Sequence, residues 1–281
     1  MKKTILAHRI YLLSAIFPLF TACEKVIELD LDTQERELVV DAHIDWEKGT
    51  TGEAQTIELS YTLPYYSTQT PEGATGATIT VTDDQGNVFS FLERSAGVYK
   101  NTHFSPALQR EYQLSILYNG KRYEAADTLK EVPQLTQENV TQTHDGGINR
   151  DEIMLHLRFD ADPTDKNNFV LRIKASSDGV TRLYGFDGRY FADGHFFTKI
   201  VNRSSDENEK FKKGDTVEIT RVSENYMNFI RILSNNSADN AGLFSIPNRV
   251  KGNVVNIADP TQNPLGAFRV SQYSKIVYTI E

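Results

Sequence analysis

Cys23 is the only cysteine in the 281-residue chain, and the residues before it give its thiol a chemical task. Residues 1–22 carry Lys2, Lys3 and Arg9 and no acid. An 11-residue, mostly apolar stretch runs from Ile10 to Phe20, and Thr21 and Ala22 then lead into Cys23. A basic start, an apolar run of this length and small residues before a break make a secretory signal. A thiol placed first after the cleavage point is the acceptor that bacterial lipoprotein processing requires. It forms a thioether to diacylglycerol, and that group becomes the anchor. Phe20 stands three places before the cysteine, where a small aliphatic residue is usual, with Leu19 one place early. A spanning helix needs about 20 apolar residues, and this stretch is shorter and contains Pro18. Secretion without acylation would leave a lone thiol in an oxidising compartment. The sequence therefore predicts a cleaved signal at 1–22 and a chain anchored to one leaflet through Cys23. Each buried methylene contributes about 0.8 kcal/mol and one acyl chain holds only marginally. A lipoprotein cysteine carries two or three.

No other residue type recurs at a spacing that does chemistry. The nucleophile elbow, the phosphate loop and the zincin helix are all absent from the sequence. His43, His103, His144, His156 and His195 are scattered, without a short ligand spacing. Asp160, Asp162, Asp165 and Asn168 have calcium-ligand chemistry at partial spacing. However, Asp165 stands where the loop needs glycine and Leu171 where it needs glutamate. No metal and no cofactor are expected, and the chain reads as non-enzymatic. Aromatic residues supply the remaining candidates. Tyr184, Phe186, Tyr190 and Phe191 lie among glycines and aspartates between Leu183 and Phe197. Tyr65 and Tyr66 lie in the long stretch from Thr62 to Gly76. Rigid aromatics on loops are the composition of a binding surface; the same residues can instead alternate inward as the core of short strands.

The elements that must position these residues read as β-strands. Removing residues 1–22 takes away three positive charges, so the net charge falls from −8 to −11. No basic run remains to neutralise phosphates, which argues against nucleic acid as a partner. With one cysteine there is no intrachain disulfide, so an apolar core must hold the fold. Residues 23–37 form an acidic tether. From Leu38 to Leu129 apolar and polar residues alternate in about seven segments, broken at Asp83–Asn87 and at Asn119-Gly120. That is the number and size of strands in an immunoglobulin or fibronectin III-like β-sandwich, placed here at 38–132. Pro133 marks a boundary. A second β-rich domain, 133–281, follows with strand patterns at Ile153–Phe159, Phe169–Ile173, Phe196–Val201 and Thr216–Val222. It ends in strand-like pieces at Lys251–Ile257, Ala267–Ser271 and Lys275–Ile280. Its one change of period is at Tyr226, Phe229, Ile230 and Leu233, which predicts a helix near 224–234. The fold class is mainly β with one short helix.

The order of several segments resembles a known family. They are Cys23-Glu-Lys-Val-Ile-Glu-Leu-Asp-Leu31, Glu37-Leu-Val-Val-Asp-Ala-His-Ile44 and Gly76-Ala-Thr-Ile-Thr-Val-Thr-Asp-Asp84. The turn from Asp160 to Phe169, Gly214-Asp-Thr-Val-Glu-Ile219 and Glu224-Asn-Tyr-Met-Asn-Phe229 continue the series. The clearest are Phe244-Ser-Ile-Pro-Asn-Arg-Val-Lys-Gly-Asn-Val-Val-Asn256 and Pro264-Leu-Gly-Ala-Phe-Arg-Val-Ser271. Together they resemble the Bacteroidota lipoproteins grouped as domain of unknown function 4249. Ala267 departs from an expected aromatic, and Arg249 and Lys251 from small residues or proline. The resemblance implies an outer-membrane lipoprotein that assists a TonB-dependent receptor in nutrient uptake. It also implies that the acids after Cys23 act as a surface-export signal, interrupted here by Lys25. A structural or adhesive envelope protein without a transport partner is the alternative. A glycoside hydrolase working through two carboxylates is a third reading, requiring a carboxyl pair about 5 Å apart in a cleft.

Overall fold

The computed structural model describes residues 36–64, 67–146, 150, 152–160, 168–174, 181–187, 191–192, 195–201, 214–222, 224–236 and 252–280. Seven strands fill the first half: β1 (Leu38–Glu47), β2 (Gln55–Tyr61), β3 (Thr78–Asp83), β4 (Val88–Ser95), β5 (Val98–Asn101), β6 (Glu111–Tyr118) and β7 (Lys121–Thr128). Each alternates a buried and an outward position. In β6, Tyr112, Leu114, Ile116 and Tyr118 point in while Glu111, Gln113 and Leu117 point out. The expected turns close the hairpins. Asn119 and Gly120 both have positive φ, the geometry a two-residue hairpin loop demands. Asp83 caps the β3–β4 turn by accepting from the Gln85 and Asn87 N–H groups at 3.0 and 2.8 Å.

Strand order in the sandwich is β1-β2-β5-β4-β3-β6-β7, with β4 joining the two faces. Between the faces lie Val40, Ala42, Ile44, Ile57, Leu59, Tyr99, Phe104, Tyr112, Leu114 and Ile116, all essentially inaccessible to water. The fold is mainly β, as the alternating pattern predicts.

The second half supplies β8 (Val140–Gly146), β9 (Glu152–Asp160), β10 (Phe169–Lys174), β11 (Thr181–Phe186), β12 (Phe191–Ala192), β13 (His195–Val201) and β14 (Thr216–Arg221). After them come helix α1 (Glu224–Asn236), β15 (Val255–Asn256) and β16 (Leu265–Val277). Helix α1 starts at the expected residue and runs two residues beyond the expected end. Among the described residues no helix is long and apolar enough to cross a membrane. Strands β8, β9, β12 and β13 form a separate four-stranded sheet. Its side of the molecule contains a second core of Val132, Leu135, Val140, Leu155, Leu157, Phe169, Leu171, Phe186 and Ile280.

The last strand differs from its sequence reading. Two pieces separated at Gln272–Ser274 are one strand of 13 residues, β16. The polar residues between them are buried rather than looped out. Gln272 Oε1 accepts the Val132 N–H at 3.2 Å, and Ser274 Oγ accepts the Leu135 N–H at 2.9 Å. Buried polar groups are tolerated when they are hydrogen-bonded, and here they satisfy the backbone of the segment after β7. Strand β16 lies parallel to β1 over nine residue pairs, Val39–Leu265 through Glu47–Tyr273. Its far end pairs with β14. Hydrogen bonding therefore runs continuously from strands of the first half to strands of the second.

Two glycines allow β16 to close. Gly266 has φ +89, and a Cβ there would stand 2.0 Å from the Val40 carbonyl oxygen. A Cβ on Gly252 would stand 1.6 Å from the Gly266 oxygen. Gly120 also has positive φ, but a Cβ there would meet nothing within 4 Å. Gly266→Ala is expected to lower stability by about 2–4 kcal/mol, combining left-handed strain with a backbone clash. Gly120→Ala should lose only about 1–2 kcal/mol, from strain alone. Urea-unfolding midpoints of the two variants test the difference, and equal losses would refute the close-approach account.

Candidate functional site

Strand β1 has two faces of opposite character. Val40, Ala42 and Ile44 enter the sandwich core, so Asp41, His43, Asp45 and Glu47 share the other face. Parallel pairing sets Ala267, Arg269, Ser271 and Tyr273 beside them. Helix α1 covers part of this surface, because its Tyr226 and Ile230 pack on Val170, Val222 and Ala267. The small side chain at Ala267 is 2% exposed and lies beneath that helix. Gly185 plays the same part under Met227, whose Sδ would stand 3.1 Å from a Cβ there.

Asp45 is the centre of the cluster. Its Oδ2 accepts from Arg269 Nη2 at 2.5 Å and from Arg172 Nη2 at 3.0 Å. Ser271 Oγ donates to Oδ1 at 2.8 Å. These partners come from β10 and β16. Arg269 is 2% exposed, and its guanidinium lies over the Tyr226 ring, 4.5 Å from the centroid. Its Nε is buried without a hydrogen-bond partner. His43 meets the same ring edge-on at 5.3 Å, and its Nδ1 stands 2.9 Å from Asp41 Oδ1. Tyr273 donates to Glu47 at 3.1 Å.

The electrostatics set what this cluster can do. Burial pushes the Asp45 carboxyl up, but Arg269 and Arg172 outweigh it and lower it from 3.8 to about 2. The hydrogen bond from His43 lowers Asp41. Burial raises the Tyr226 phenol. Elsewhere, hydrogen bonds hold Asp83 and Asp259 below the ordinary range as well. A carboxylic acid that protonates a glycosidic oxygen needs the opposite shift. All four of these carboxylates are instead held ionised. The arrangement pairs opposite charges and joins strands. Among the described residues no group of three or more His, Cys, Asp and Glu side chains could hold a metal ion.

The residues singled out from sequence fall elsewhere. Cys23, Tyr65, Tyr66 and Tyr190 lie outside the described residues, as does most of the Asp160–Asn168 turn. Tyr184 belongs to β11 and Phe191 to β12, with their side chains outside the described set. Phe186 corrects an expectation: it is 7% exposed and stacks on Phe169 at 5.3 Å in the second core. It ends β11 and is a core residue, not a surface anchor. The Asp45 cluster went unread. Its only sequence signal is the alternation Asp41, His43, Asp45, Glu47 opposite an apolar face, together with Arg269 between Phe268 and Val270.

Asp45→Asn removes the carboxylate that both arginines bind, one of them buried. The loss should be about 3–5 kcal/mol. Exposed Asp41→Asn should lose under about 1 kcal/mol. The pH dependence has a fixed sign. A carboxyl lowered to about 2 stabilises the fold above its unfolded value near 3.8, and that contribution fades as pH falls toward 2. Its size is roughly 2–3 kcal/mol. Thermal unfolding of wild type and Asp45→Asn should therefore converge as pH drops from 5 to 2; a constant gap would contradict it.

No curated protein matches the chain. Among solved structures it is similar to a pullulanase complexed with maltotriose from Anoxybacillus sp. LM18-11, at 9% identity and a TM-score of 0.20. That match covers 64% of this chain and 23% of the pullulanase. It is also similar to a segment of two fibronectin type-III domains from chicken tenascin, at 12% identity and a TM-score of 0.21. There, 60% of this chain and 83% of the segment are covered. The chain thus spans under a quarter of the pullulanase, and likenesses at these scores carry no argument about activity. The family model described as Domain of unknown function (DUF4249) matches residues 24–276, nearly everything after Cys23, and the chain belongs to that family.

Proposed function

We propose that this protein is a non-enzymatic lipoprotein of the outer membrane, held by acyl chains on Cys23 and facing the cell surface. There it serves as the accessory partner of a TonB-dependent receptor in nutrient uptake. The observation that carries the reading is the basic and apolar leader ending in small residues and a lone cysteine. The acidic residues after Cys23 support outward export. The Asp45 cluster supports a binding body over a hydrolase, because Arg269 and Arg172 hold Asp45 low against its burial and the His43 hydrogen bond holds Asp41 low.

The anchor and the partner are separately testable. Cys23→Ser should abolish incorporation of labelled palmitate and move the protein from the membrane pellet to the soluble fraction. Persistence of the label would overturn the anchor. Gentle detergent extraction of tagged wild type should recover a receptor barrel, and its absence would overturn the partner. Protease treatment of intact cells should degrade the protein if it faces outward and spare it if it faces the periplasm.

A further inference from the structure

The ladders of the sandwich define a line of side chains across its outer face. Lys100 stands opposite Leu92. One step on from the Ile79–Phe91 pair, Leu92 stands beside Thr78. Thr78 is opposite Leu117, and Leu117 is opposite Arg122. Ile257, just past β15, donates its N–H to the Arg122 carbonyl at 3.0 Å. Directly opposed residues share a face, so these six form one row. At about 4.8 Å per strand the row is about 24 Å long. Leu92, Leu117 and Ile257 are 57%, 46% and 52% exposed, while their chain neighbours Phe91, Ile116 and Asn256 are buried. Lys100 is exposed at one end of the row and Arg122 between Leu117 and Ile257, and the row contains no acid. The row above it, Ser90, Thr80, Ser115 and Glu124, is polar up to Val255. Arg122 touches it only loosely, 3.8 Å from Glu124.

The row lies at the end of the sandwich where the described chain begins. The Arg36 guanidinium lies over Tyr61, 4.9 Å from the ring centroid. The Tyr61 hydroxyl meets the Tyr118 hydroxyl at 2.5 Å, and Tyr118 is the residue after Leu117. From Cys23 to Arg36 the 13 residue steps span at most about 45 Å.

We propose that this row is a membrane-surface contact. Leu92, Leu117 and Ile257 enter the boundary of the acyl layer, and Lys100 and Arg122 meet phosphate-bearing lipid headgroups. This rests on the anchored reading above. Exposed aliphatics flanked by cations are what holds a surface to an anionic interface. Long basic side chains keep their charge in the headgroups while their stems lie on apolar surface. An acidic body is repelled by the same headgroups, so an acid-free row is the side that can approach them. The contact can be weak by itself, since an anchor close by gives it a high effective concentration.

A photo-crosslinking residue placed at Leu117 in the full chain, in intact cells, tests this, with the same residue at Gln113, four residues back along the strand on the same face, as control. Lipid adducts are expected to be at least about fivefold more abundant at Leu117 than at Gln113. They should fall to the control level when Leu92 and Ile257 are both changed to serine. A protein adduct as the main product at Leu117, or equal lipid adducts at both positions, would overturn the contact. Palmitate labelling of the same samples separates the two claims. Label without a lipid adduct defeats the row alone; a lipid adduct without label defeats the anchor and leaves the row.

Discussion

The parallel pairing of β1 with β16 is the constraint on which the rest of the structure depends. Antiparallel neighbours can be joined by a two-residue turn, but parallel strands need a crossover. Here the crossover is everything from Glu47 to Leu265. The remaining six strands of the sandwich, the four-stranded sheet and α1 all lie inside that connection. Such non-local pairing orders a long stretch of chain before it is rewarded, so it must be specified strongly. Gly252 and Gly266 permit the close approach. Asn253 exchanges two hydrogen bonds of 2.9 Å with the Phe268 backbone. Asp127 on β7 accepts the Val270 N–H at 3.0 Å, which brings the other edge of the sandwich to the same strand.

Asp45 adds a charge-based clasp to that seam. Two arginines and a serine from strands β10 and β16 converge on one carboxylate, and Tyr226 covers the more buried arginine. Isolated charges at such depth would be prohibitive, and a pair is stabilising only with good geometry and further hydrogen bonds. The geometry meets that condition except at Arg269 Nε. The cluster fixes β10 on the β1–β16 seam, beside the apolar packing of Tyr226 and Ile230 on Val170 and Ala267. Directional hydrogen bonds tolerate one register only, whereas the aliphatic layer on the opposite face of β1 tolerates several.

These features share out the surfaces of the molecule. The interior of the sandwich is aliphatic and aromatic, and the outer face of the β1–β16 seam is charged but internally balanced. The outer face of β4 and β6 is one place where apolar groups meet water, at Val88, Leu92 and Leu117. On the anchored reading proposed above, an acidic body has few sides that can rest against an anionic leaflet. The acid-free row near Tyr118 is one of them.

Local chemistry was legible from the residues alone. Alternation in β1 to β7, the Asn119-Gly120 turn, the Asp83 cap and the 3.6-residue period of α1 are short-range properties, and each appears where its spacing placed it. Membership of the family was legible in the same way, from ordered short segments. Tertiary structure decided what depends on residues far apart. Gln272 and Ser274 read as a break because polar residues usually leave a sheet; the backbone at Val132 and Leu135 buries them in one. Phe186 read as a surface anchor because glycine and aspartate surround it; Phe169 takes it into the core. Asp45 and Arg269 are 224 positions apart, and nothing in either neighbourhood announces the other. A strand's period records which face is buried, but which strand lies beside it is a property of the folded chain.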